Sequence, residues 1–167
     1  MIFSKAALAD WGLGYGTGAY LGEQRFGVAK SLREGRHLFE FSYGITPGIR
    51  AGDVDQINAS YIYSPWRWGL GSVSTNLLGV GVSLSRWQSA EAFLQTSDPY
   101  PEEHYYSQNR LRPALVFSHQ WSFQRVQVFI DWSLLDQVLI ALYNNTKYWG
   151  DSAIWSMGFG LRWFLPN

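Results

Sequence analysis

A chain of 167 residues has the length of one domain, enough to bury a sizeable core or close one small barrel. Its 13 basic and 13 acidic residues cancel, which excludes the general basic field that nucleic-acid binding needs. Cysteine is absent, which excludes disulfides, thiolate chemistry and zinc–thiolate sites.

At the N-terminus, Ala7-Leu8-Ala9 before Asp10 has the small-x-small form of a signal-peptidase site. The apolar stretch that should precede it is missing, so residues 1–9 read either as a signal-peptide remnant or as a chance match. Residues 10–167 then form the single domain. A first strand is predicted over Leu13–Leu21, with Leu13, Tyr15, Thr17 and Ala19 on one face and Gly14, Gly16 and Gly18 on the other. Residues 22–35 read as a polar loop, although Phe26–Leu32 could extend a strand. The second strand is His37–Ile45, with Phe39, Phe41 and Tyr43 opposite Leu38, Glu40, Ser42 and Gly44. Thr46-Pro47-Gly48 turns the chain.

The third strand is Val54–Tyr63, which Ser64-Pro65-Trp66-Arg67-Trp68 is expected to break. A fourth runs through Leu78, Val80, Val82 and Leu84. Residues 88–111 read as a long surface loop. Arg112–Phe123 and Val126–Leu134 are the fifth and sixth strands, with Val116, Ser118, Gln120, Gln127, Phe129 and Asp131 on the face away from Leu115, Phe117, Val128 and Ile130. Leu135–Tyr143 fits a helix face as well as a strand. A seventh strand is preferred there, because with Ile154–Phe164 it makes an even, closable eight. The 22–35 and 88–111 loops then fall at opposite ends of the sheet.

The expected fold is therefore all-β: a closed antiparallel up-and-down transmembrane β-barrel of about eight strands. Alternation alone also fits a soluble barrel or a sandwich with the apolar face inside. The polar face decides between them. A wet strand surface is rich in Lys, Glu and Asp, whereas here the charges on that face are Glu40, Asp131 and Arg162, among Gly, Ser, Asn and Gln. Small neutral side chains suit the narrow interior of an eight-stranded barrel. Trp and Tyr gather at strand ends (Tyr61, Tyr63, Trp66, Trp68, Trp87, Tyr143, Tyr148, Trp149 and Trp163), as interfacial girdles would. No run of apolar residues is long enough for a transmembrane helix, but barrel strands need only about 9–11 residues each.

In this pattern the chain resembles the small outer-membrane β-barrel class of bacteria, over roughly residues 11–165. That class ends its last strand in an aromatic residue; here Trp163-Phe164 is followed by Leu165-Pro166-Asn167. The resemblance implies a monomer in the bacterial outer membrane, in contact with membrane lipid and lipopolysaccharide. It implies no cofactor, no metal and no nucleic acid, and allows an envelope or extracellular protein partner.

Glu40, Asp131 and Arg162 face the predicted interior from three strands. They form either an acid/base pair with an Arg or a salt-bridge network that keeps the lumen polar. Some outer-membrane lipid A deacylases of similar architecture carry a His-x-Ser pair on one strand face. Here Trp121 follows His119 at that spacing and Ser122 points to the other face, so the pair is broken and His119 reads as an interfacial residue. Asp98, Glu102, Glu103 and His104 lack cation-loop spacing and read as a solvated acidic loop. Arg110, Arg112, Arg67 and Lys147 are weak candidates for anionic head groups. The expected role is non-enzymatic: structural, adhesive or envelope-interacting, through loops 22–35, 64–76 and 88–111. The alternatives are a lipid A-modifying, deacylase-like enzyme and a soluble barrel with an apolar ligand inside.

Overall fold

A computed structural model of the chain describes residues 10–18, 24–33, 35–46, 54–70, 73–87, 111–135 and 155–165. They form eight strands: β1 (Asp10–Gly18), β2 (Gln24–Leu32), β3 (His37–Thr46), β4 (Val54–Leu70), β5 (Val73–Trp87), β6 (Leu111–Phe123), β7 (Val126–Leu135) and β8 (Trp155–Phe164). Each pairs antiparallel with its sequence neighbour, and β1 closes on β8 through Gly12↔Phe164 to Gly18↔Gly158. The result is the closed up-and-down barrel expected, with no unpaired edge around most of its wall.

Three expectations need correction. The supposed loop 22–35 contains β2, whose Phe26, Val28 and Lys30 alternate with Arg25, Gly27 and Ala29. Hydrophilic composition masked a period of two. With β2 counted, eight strands are reached without a strand at 136–143, which lies outside the described residues. The chain also does not break at Ser64–Trp68. β4 runs on to Leu70, and β5 begins at Val73 rather than near Leu78. Register shifts between Tyr63 and Trp66, and again between Trp66 and Arg67, mark a bulge around Pro65. A residue without an N–H is tolerated in a strand at such a point. The bulge keeps Trp66 and Trp68 exposed and leaves Arg67 half-buried on the inward side.

These corrections also settle the ends of the barrel. The connections 33–36, 71–72 and 124–125, together with the start of β1 and the end of β8, lie at one rim, here the turn rim. The connections 19–23, 47–53, 88–110 and 136–154 leave from the other, the loop rim. Long and short connections therefore segregate, instead of mixing as they do when residues 22–35 are read as a loop.

Polarity is inverted relative to a soluble barrel. Leu13, Phe26, Phe41, Val82 and Phe159 point outward and are 55–59% exposed. Among the described strand residues, the outward Lys, Arg, Asp and Glu are Lys30, Asp55 and Arg86, each within three residues of a strand end. The inward side buries Arg25, Glu40, Asn58, Gln120, Asp131 and Arg162. A small apolar plug of Ala29, Leu38, Ile62 and Val116, with Phe164 packed against it, completes the interior.

Candidate functional site

The lumen is the place where chemistry-bearing side chains converge. Its centre is a four-membered ion cluster, of which sequence reading found three members. Arg162 on β8 donates from Nε to Glu40 Oε2 on β3 at 2.6 Å, and its Nη2 lies 2.6 Å from the same oxygen. Asp131 on β7 receives Arg25 Nη2 at 3.3 Å and lies 3.9 Å from Arg162 Nη2. Arg25 on β2 is the fourth member, 3.5 Å from Glu40 Oε1 through its Nε. Composition alone hides it, because residues 22–35 look like a loop; its alternation with Phe26 is the available signal.

Two guanidiniums and two carboxylates cancel, so the cluster is neutral as a unit. That matters because Arg162 and Asp131 are only 1% and 2% exposed, and an uncompensated charge at such depth would be costly. Phe129 on β7 fills the gap between the cations: its ring centre is 3.7 Å from Arg162 Cζ and 5.2 Å from Arg25 Cζ. The register partner of Phe129 on the adjacent β8 is glycine for a steric reason. A Cβ at Gly160 would come to 2.5 Å from Phe129 Cζ and would also strike the Tyr15 carbonyl oxygen.

Neutral side chains extend the network. Ser118 Oγ donates to Asp131 Oδ1 at 2.6 Å, and Gln120 Nε2 donates to Ser118 Oγ at 3.0 Å. Asn76 Nδ2 donates to Gln120 Oε1 at 3.0 Å, and Arg162 Nη1 donates to Gln127 Oε1 at 3.0 Å. Gln127 Nε2 in turn reaches Gln120 Oε1 and Ser122 Oγ, each at 3.3 Å. One connected set of hydrogen bonds thus ties β2, β3, β5, β6, β7 and β8 together across the lumen. A second group, Asn58 with Ser42 and Ser85, links β3, β4 and β5.

The arrangement favours cross-linking over acid/base chemistry. Both carboxylates are engaged by guanidinium groups rather than aimed at open space. Ser118 donates to a carboxylate, while His119, its sequence neighbour, points through the wall to the outside. There the imidazole stacks against Trp121, ring centres 6.4 Å apart and 20° from parallel. Ser118 and His119 therefore face opposite sides of the wall, and Ser122 Oγ accepts from Gln127 Nε2. Arg112 and Arg67 do not face outward: Arg112 is buried on the inward side, and Arg67 donates from Nη2 to Ser74 Oγ at 2.9 Å. Arg110, Lys147 and the Asp98–His104 group lie outside the described residues. Among the described residues no group of three or more His, Cys, Asp or Glu is placed to hold a metal ion.

No family model matches the chain, and no curated protein matches it. Among solved structures it is similar to the N-terminal β-barrel domain of Pseudomonas aeruginosa OprF, with 8% identity and a TM-score of 0.46, over 94% of this chain and 96% of that one. The assignment of a closed eight-stranded barrel rests on strand register and burial in this chain itself.

Proposed function

We propose that the chain is a bacterial outer-membrane β-barrel with a non-enzymatic role, structural or envelope-binding, carried by its loop-rim connections. The observation that carries this reading is the inverted polarity: an outward wall that is apolar between its rims, around a neutralised, hydrogen-bonded lumen. Burying the outward wall in lipid removes it from water, and closure satisfies the backbone without an edge. The described Trp11, Trp66, Trp68, Trp121 and Trp163 lie toward the turn rim, where a bilayer–water interface would accept them. Short turns on one side and long connections on the other fit a barrel with its turns toward the periplasm.

The packed lumen gives no support to an apolar-ligand carrier, whose cavity would have to occupy the volume now filled by Arg25, Phe129 and Arg162. The test is heat modifiability of the full chain, expressed with a signal peptide and recovered from outer membranes. A band that migrates differently in SDS before and after boiling is expected. A single unshifted band in the aqueous fraction would overturn the reading.

A further inference from the structure

We infer that the outward face of β1–β4 at the turn rim binds the phosphate head group of an anionic glycerophospholipid, through Lys30, Arg33 and Arg36. The inference rests on the membrane reading above and names a lipid class for one part of its perimeter. Lys30 is the basic residue at an outward position there, and it is not paired across the wall with an acid. Its register partners are Trp11 on β1 and Phe39 on β3, and its Nζ sits 4.8 Å over the Trp11 ring. That contact holds an ammonium at the level where an indole meets the interface.

Arg33 and Arg36 are exposed in the tight turn just beyond. The turn is fixed by Gly35 N to Leu32 O and Arg36 N to Arg33 O, both 3.2 Å, and by Ser64 N to Arg36 O at 2.8 Å. Beside them His37 Nδ1 shares a 2.9 Å hydrogen bond with Tyr61 Oη, and the His37 ring lies 5.1 Å from that of Tyr63. One cation thus sits on an indole at this rim and two more are exposed in the turn next along the chain, a combination that suits a phosphate head group above acyl chains. Among the described residues, no carboxylate takes an outward position on β1–β4 at this rim; Asp10 falls on the inward side of β1. Glu34, in the same turn, lies outside the described residues. The other outward cation on a strand, Arg86, is at the loop rim, separated from this group by the height of the wall.

The test uses the full chain folded in zwitterionic detergent, with heat modifiability as the check on folding. Short-chain phosphatidylglycerol or phosphatidylcholine is titrated in, and bound lipids are counted by native mass spectrometry. Phosphatidylglycerol adducts are expected to dominate, to fall about fivefold in Lys30→Gln and to approach the phosphatidylcholine level in K30Q/R33Q/R36Q. Arg86→Gln is expected to keep the preference. Equal adducts for the two lipids, or a preference that survives the triple variant, would overturn the inference while leaving the barrel intact. Displacement of the lipid by millimolar inorganic phosphate would also overturn it, because the site would then take a free anion. If no amphiphile gives a heat-modifiable band, the membrane reading and this inference fall together. Should the triple variant not fold, the fivefold loss in Lys30→Gln decides alone.

Discussion

Replacing Arg162 by Met tests whether the lumen cluster acts as one neutral unit. The substitution removes a guanidinium that contacts Glu40 at 2.6 Å through two nitrogens, Gln127 at 3.0 Å and Asp131 at 3.9 Å. What remains is two buried carboxylates facing Arg25 alone, at 3.3 and 3.5 Å. Breaking a buried pair in this way costs about 3–5 kcal/mol, because the surviving charge stays desolvated. Glu40→Leu strands the opposite charge and is expected to cost a similar amount. The double variant E40L/R162M removes both charges together. The cluster returns to one Arg and one Asp, so the double loss should fall short of the sum of the singles by roughly 3 kcal/mol or more. Urea unfolding in lipid vesicles, followed by tryptophan fluorescence, gives all three values. Additive losses would refute the neutral-unit argument, and singles within about 1 kcal/mol of the parent would show that water reaches the cluster.

Other substitutions probe separate links. Phe41→Arg places a charge in the middle of the outward wall and is expected to cost about 2–4 kcal/mol in vesicles; a negligible cost would mean that this face meets water. Phe129→Ala removes a buried ring between two cations and should destabilise by about 3–5 kcal/mol in the same assay, with no change to the outward face. Gly160→Ala should cost about 1–3 kcal/mol through the clash with Phe129, and the combination with Phe129→Ala should recover part of that loss. Expression of the chain is expected to leave the acyl chains of lipid A unchanged by mass spectrometry, since Ser118 and His119 point to opposite sides of the wall. Loss of an acyl chain that depends on either residue would replace the non-enzymatic reading.

Period-two alternation made the fold class legible wherever the two faces differ strongly, as in Trp155–Trp163 and His37–Ile45. It failed at Gln24–Leu32, where Arg25 and Lys30 gave a loop-like composition although they lie on opposite sides of the wall. An inward Arg and a rim-level Lys look alike in a list of residue types. It failed again at Ser64–Leu70, because a bulge shifts the phase, and a strand that changes phase looks like one that ends. The site was partly legible for the same reasons. Glu40, Asp131 and Arg162 stand on unambiguous strands, whereas Arg25 became visible only with β2. The glutamines and serines that join the charges marked the inward face as a class, but their composition did not show which of them bond to which charge.

Closure of β1 on β8 has a consequence for the order in which the barrel is built. Arg162 belongs to the last strand, and its main acceptor, Glu40, to the third. Without β8, Arg25, Glu40 and Asp131 would carry one negative charge in excess, which is costly to bury dry. Docking the final strand delivers the missing cation and closes the hydrogen-bonded wall in a single step. Charge balance in the interior is thereby tied to completion of the circle.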